Sequence, residues 1–236
     1  MRILGFDTAA PTNSVGLVDG DRMLADCSWD ARENSLQRII LNIDQVLKRG
    51  SSSLETIDGL AAGIGPGSWT GVRVGVTVAK ILAYVTGKPL CGVTSFEALA
   101  YQGRNTDLQL CPLVDAGKET VYAAFYRAHG KALVRRGDFY VGDVKGLAQA
   151  VQEPTLFLGK PAHLHRQILA TQLGPLASFG SPSDSPGGCA FAWIALPRFQ
   201  RGETDDALSL APLYLKESLA EALLKRRQAA TGRPRQ

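Results

Sequence analysis

One pattern, laid down twice, constrains this chain more than any other feature. Residues Arg2 to Phe6 form a short apolar run that ends at Asp7, and Gln109 to Val114 form another that ends at Asp115. After Asp7 come Ser14 to Val18 and, across the turn residues Asp19-Gly20, the returning run Arg22 to Cys27. After Asp115 come Glu119 to Arg127 and Lys131 to Val141. Each set leads into a helical segment and a further apolar strand. In the first half these are Leu36 to Leu47 and Gly59 to Ile64; in the second they are Asp143 to Gln152 and Thr155 to Leu158. Strand ending in Asp, strand, strand, helix, strand therefore occurs twice. Strands joined by tight turns pair antiparallel, and strands reached through a helix run parallel to the first. The pattern predicts an α/β chain in which a mixed sheet covered by helices is built twice. The boundary falls near Asn105, giving units at 1–104 and 105–221 and a basic, disordered tail at 222–236. Pro89 to Val93 reads as a strand, Ser95 to Gln102 as a helix and Ser178 to Gly188 as a flexible loop. Ala190 to Arg201 reads as a helix that Pro197 ends or kinks.

Composition removes several classes. With 45% hydrophobic and 20% charged residues in 236, the chain is neither disordered nor fibrous. Its longest apolar stretch, Val72 to Val85, carries Arg73 and Lys80 and falls short of the ~20 apolar residues of a membrane span. Asp7 arrives too early for the apolar core of a secretion signal. The net charge of +4 resides in the tail, where Lys225, Arg226, Arg227, Arg233 and Arg235 stand without an acidic residue; removing these five leaves 21 basic against 22 acidic residues. The body is therefore not an evident nucleic-acid binder. Cys27, Cys91, Cys111 and Cys189 form no CxxC pair and read as reduced thiols of a cytoplasmic protein. His163 and His165 have no cysteine or carboxylate cluster beside them to complete a metal site.

The segment Gly65-Pro66-Gly67-Ser68-Trp69-Thr70-Gly71-Val72-Arg73-Val74-Gly75 joins a strand to the longest apolar run. It lacks the Gly-Lys-Ser/Thr of a P-loop and the spacing of GxGxxG. Gly65 and Gly67 permit close backbone approach, and Ser68 or Thr70 can cap a following helix. Such a turn faces a phosphate or a partner, or is simply a tight strand-to-helix connection; both readings stand on the residues alone. The run that follows alternates valines as a strand does. Its length, and the row Gly71, Gly75, Ala79, Ala83 at i, i+4, i+8, i+12, favour a helix with one smooth ridge. That ridge can pack inside the chain or against a second chain.

These residues carry a resemblance. GPGSWTGVRVG is similar to the GPGSFTGLRVG signature of the TsaB family, and Ile3 to Ala9 (ILGFDTA) resembles its ILAIDTS opening. Val114 to Tyr126 (VDAGKETVYAAFY) resembles its VDARRGEVYAALY segment, and Ala211 to Lys216 (APLYLK) resembles its PxYLR ending. The resemblance spans Arg2 to Lys216. It implies two tandem RNase H-like subdomains of the actin/Hsp70/sugar-kinase type. It also implies a non-catalytic scaffold for TsaD, the subunit that transfers a threonylcarbamoyl group to the adenosine beside a tRNA anticodon, with the ATPase TsaE joining them. Contact with tRNA would then be indirect, through the complex, and the chain alone would pair as a homodimer. No intrinsic cofactor is implied, although ATP or ADP could sit at the complex interface.

Catalytic relatives carry a metal-binding HxxxH that falls by position on Ser95 and Leu99, neither of which can replace a histidine ligand. The partner-facing candidates are Leu36, Ile39, Ile40, Ile43, Gly71, Gly75, Ala79 and Ala83. The nucleotide- or phosphate-facing candidates are Asp7, Gly65, Gly67, Ser68, Thr70, Arg73 and Asp115. Two stretches depart from the family pattern: Asn34-Ser35-Leu36 stands for its His-Ser-Glu, and Lys118-Glu119-Thr120 for its Arg-Gly-Glu. The alternative is an ATP-dependent phosphotransferase of the same superfold, with Asp7 and Asp115 organising magnesium and phosphates.

Overall fold

The computed structural model describes residues 1–32, 35–130, 132–182 and 186–216; the expected Asn34 cap, the Leu36 side chain and the basic tail lie outside the described residues. The first half contains β1 (Arg2–Asp7), β2 (Thr12–Asp19), β3 (Arg22–Asp30), α1 (Ser35–Arg49), β4 (Gly59–Gly63), α2 (Trp69–Thr86), β5 (Leu90–Val93) and α3 (Ser95–Gln102). The second contains β6 (Gln109–Asp115), β7 (Val121–His129), β8 (Ala132–Gly142), α4 (Val144–Gln149), β9 (Thr155–Leu158), α5 (Lys160–Leu164), α6 (Arg166–Leu173), β10 (Ala177–Phe179) and α7 (Gly188–Gln200).

The sheets run β3-β2-β1-β4-β5 and β8-β7-β6-β9-β10, the same order element for element. In each, the first three strands are antiparallel and the last two parallel to the first. The doubled pattern is thus a doubled fold of two RNase H-like subdomains. One strand was missed. Ser178 and Phe179 belong to β10, because Ala177, Ser178 and Phe179 register against Thr155, Leu156 and Phe157. A three-residue edge strand has no periodicity of its own; the neighbouring backbone makes it.

α1 and α2 cover one face of the first sheet, where Ile39, Ile43, Val46, Val78, Ala79 and Ala83 meet Leu4, Phe6 and Leu60. α2 is helical throughout, so the valine alternation is overridden by packing, as its weak helix propensity requires. Ser68 supplies its cap: Oγ accepts from Gly71 N at 3.2 Å. The opposite face is covered by α3 and α7. α3 also reaches the second sheet, where Phe96 and Ala100 join Leu110, Tyr126 and Leu158, so it fills the space between the halves.

α7 lies in the range grouped by sequence with the second half (105–221), yet it packs on β1 and β2 of the first. The approach is backbone on backbone: a Cβ at Gly5 would stand 2.3 Å from Gly188 O, and one at Gly16 2.3 Å from Cys189 N. The helix runs past Pro197 to Gln200, so the proline does not end it. Leu196 and Phe199, both buried, hold that last turn on the sheet. An Arg198–Glu97 ion pair joins it to α3. The chain after α7 then binds the outer edge of β5, with Asp205 N donating to Leu90 O and Gly92 N to Asp205 Oδ2, each at 2.8 Å. It returns to α2, where Lys80 Nζ donates to Leu208 O and Leu210 O.

Candidate functional site

The turn that follows β1 organises the site. Asp7 is buried, and its two carboxylate oxygens accept from Ala9 N at 3.0 Å and Ala10 N at 3.2 Å. Burial pushes its pKa up to about 6 against the pull of those backbone donors. The same turn grips the Gly-rich segment. Ser68 N donates to Ala9 O at 2.8 Å, and Thr8 Oγ1 donates to Gly71 O at 2.6 Å. A Cβ at Gly71 would lie 1.9 Å from Thr8 O, so no larger residue fits without moving the turn.

Between the halves this turn opens onto a cleft of about 250 Å³. Its walls include Asp7, Ala9, Gly67, Ser68, Ser95, Leu99, Val114, Asp115 and Phe191. The two aspartates predicted to match are therefore brought together, one on each side. They differ in state: Asp115 is exposed, and its Oδ1 accepts from Gly117 N at 2.8 Å. Ser95, nine-tenths buried, has a hydroxyl with no hydrogen-bond partner. Ser14, the cross-strand neighbour of Asp7, is a second buried hydroxyl without a partner.

The remaining phosphate-facing candidates lie elsewhere. Gly65 sits behind the loop with φ 88°. Thr70 and Arg73 are exposed and do not line the cleft; the Arg73 guanidinium stacks on Trp69 at 4.0 Å, and its Nε donates to Tyr214 Oη at 2.9 Å. Among the described residues, no lysine or arginine lines the cleft and no cluster of three metal-ligating side chains exists. Asp7 and Asp115 are carboxylates of the kind that hold magnesium, but the described wall gives a nucleotide's phosphates no cationic side chain.

The small-residue row also resolves. Gly71, Gly75, Ala79 and Ala83 are buried, and Gly75 faces Thr8, where a Cβ would be 2.5 Å from Oγ1. The ridge serves the chain's own first strand and turn, not a surface. Ile39 and Ile43 are likewise buried, whereas Ile40 is half exposed. The outer flank of α1 and α2 instead presents Ile40, Leu41, Ile81, Tyr84 and Val85, the last two 75% exposed. A helix apolar on nearly all sides signalled this second face: Ile81, Tyr84 and Val85 occupy the side opposite the Gly/Ala row.

Known proteins bear on both features. Residues 29–172 match the family described as TsaD, tRNA N6-adenosine threonylcarbamoyltransferase. The tRNA threonylcarbamoyladenosine biosynthesis protein TsaB of Bacillus subtilis is 30% identical over 94% of this chain and 97% of its own. TsaB of Escherichia coli is 37% identical over 54% of this chain and 55% of its own. Among solved structures, YeaZ from Pseudomonas aeruginosa superposes with a TM-score of 0.77 at 23% identity, covering 91% of this chain and 99% of its own. A ROK hexokinase from Thermus thermophilus superposes at 0.57 and 11% identity, over 86% of this chain and all of its own. These structural likenesses establish the fold: two subdomains of the sugar-kinase type. No helix among the described residues is long and apolar enough to cross a membrane.

Proposed function

Because this chain belongs to the TsaB family, and so to the biosynthesis of threonylcarbamoyladenosine in tRNA, we propose that it is the non-catalytic subunit that docks on a TsaD-like catalytic subunit and holds it in its active geometry. The observation that carries this reading is the outer flank of α1 and α2. Ile40 and Leu41 on α1 and Ile81, Tyr84 and Val85 on α2 are apolar side chains exposed to water at a cost. A partner built on the same family pattern offers an equivalent helix pair, so the two flanks can pack as one four-helix layer. The chain alone satisfies the same flank by forming a homodimer.

The cleft supports the absence of chemistry. Ser95 and Leu99, which stand where the resemblance places a metal-binding HxxxH, are both in the cleft wall. A serine hydroxyl and a leucine methyl cannot anchor a catalytic metal. In this reading a TsaE-like ATPase and tRNA meet the complex through the catalytic subunit in the cytoplasm, and any ATP or ADP binds where subunits meet. The phosphotransferase alternative has less support, since no cationic side chain of the described cleft wall is placed to hold a transferring phosphate.

The test is co-purification with a TsaD-like subunit, followed by threonylcarbamoyl transfer to tRNA with and without this chain. Tyr84→Glu and Ile81→Asp are expected to abolish both association and transfer while the circular dichroism and melting curve stay unchanged. Transfer to tRNA by this chain unaided overturns the reading, as does normal association of the two variants.

A further inference from the structure

The N-terminal half of α2 carries a cluster that neither the core nor the cleft uses. The Arg73 guanidinium lies 4.0 Å from the Trp69 ring centroid and 5.9 Å from that of Tyr214, and the two rings stand 4.3 Å apart. Tyr214 Oη accepts from Arg73 Nε at 2.9 Å. Leu213 N donates to Ile64 O at 2.7 Å, which fixes the segment carrying Tyr214 beside the start of the helix. All three side chains nonetheless meet water, with Trp69 37% and Tyr214 42% exposed. A lone surface arginine samples many rotamers, whereas this one is held in one pose by two aromatic rings. Among the described residues its Nη1 and Nη2 have no acceptor, and no carboxylate pairs with it.

The cluster is continuous with the apolar flank of α2. Trp69, Arg73, Thr77, Ile81 and Val85 are all exposed and follow at i, i+4, i+8, i+12 and i+16, the ridge spacing by which helices pack on one another. The charges of the two flank helices are one-sided. Across 35–49 and 69–86, Arg38, Lys48, Arg49, Arg73 and Lys80 stand against Asp44 alone. Asp44 is already paired with its own Lys48 at 2.6 Å. A second copy of this chain therefore brings Arg73 no unpaired carboxylate from these helices and sets one basic flank against another.

We propose that Trp69, Arg73 and Tyr214 are the polar anchor of the docking surface, and that its preferred occupant is a different protein subunit with a carboxylate facing Arg73, not a second copy of this chain. This inference rests on the docking reading of the α1–α2 flank and names the chemistry that selects the partner. Tryptophan, tyrosine and arginine are the side chains that most often carry the binding energy of an interface. The guanidinium offers its two outer nitrogens to both oxygens of one carboxylate. Because the rings already hold it, little side-chain freedom is left to lose on binding.

The probe is a purified TsaD-like subunit, titrated calorimetrically with the full chain, while self-association of the chain is followed by sedimentation. Arg73→Glu is expected to raise the heteromeric Kd about 30-fold without weakening self-association. Arg73→Lys keeps the charge and loses the fork, and is expected to raise it about fivefold. Wild-type affinity is expected to fall as salt rises, and Arg73→Gln to flatten that fall, a readout that loss of shape alone does not move. Unchanged melting curves place these losses at the interface. Normal heteromeric affinity of Arg73→Glu, with association abolished by Tyr84→Glu, overturns this inference and leaves the docking reading standing. Loss in neither variant, or no association of the wild type, overturns both. Arg73→Glu weakening self-association as much as heteromeric association also overturns the inference, as does tRNA binding by the isolated chain that Arg73→Glu removes.

Discussion

Asp7 and Asp115 end equivalent strands of equivalent sheets, and they have diverged in what they do. Asp7 is buried, bonds two backbone N–H groups and lies at the root of a turn that grips α2. Asp115 is exposed, bonds one N–H and leads into the open turn at Gly117. The surroundings explain the contrast. The first sheet is covered on both faces, by α1 and α2 on one side and α3 and α7 on the other. The second carries only short helices of its own, α4, α5 and α6, and shares α3. A duplicated topology therefore does not preserve a duplicated site. The half with close backbone packing uses its aspartate as a brace, and the other half leaves its aspartate exposed.

The contrast can be broken most sharply at the glycines. Gly71→Ala drives a Cβ into Thr8 O and is expected to cost about 3 kcal/mol or more in urea unfolding. Gly117→Ala meets no atom within 4 Å and incurs only the positive-φ penalty, about 1 kcal/mol. Equal losses would show that the turn yields. At the aspartates themselves, Asp7→Ala orphans two backbone donors and is expected to cost about 2 kcal/mol, whereas Asp115→Ala is expected to cost about 0.5 kcal/mol.

Titration sharpens the same comparison. The folded Asp7 carboxyl has a pKa of about 6, above its ordinary 3.8, so folding takes up a proton at this group. Its contribution to stability is fully present below pH 3.8 and is lost as pH rises through about 6. Across that window the wild type is expected to lose about 2 kcal/mol relative to Asp7→Asn, measured by denaturant midpoints at successive pH values. A flat difference would mean that water reaches the carboxylate. Smallest in stability is Tyr84→Glu, expected within about 0.5 kcal/mol of wild type because the side chain is 75% exposed. Its effect falls on partner association, the reverse of Gly71→Ala, so the pair separates the two faces of α2.

The residue order alone carried the architecture. Two strands ending in aspartate, each followed by a hairpin and a helix, are local patterns, and local patterns specify element type and pairing sense. The repeat matched Asp7 with Asp115, but only the folded chain placed both on the wall of one cleft. The smooth ridge of α2 was legible as a ridge, but not the direction in which it faces. The 3.6-residue period locates a face and leaves open what covers it. Thr8 and α7 are distant in sequence from what they touch, so only the folded chain showed that Gly71 and Gly75 close on Thr8 and that Gly188 closes on Gly5 and Gly16. The burial of Asp7, its raised pKa and the unpartnered Ser95 hydroxyl belong to the same class. They arise from desolvation by residues far apart along the chain, and no spacing along the chain encodes that.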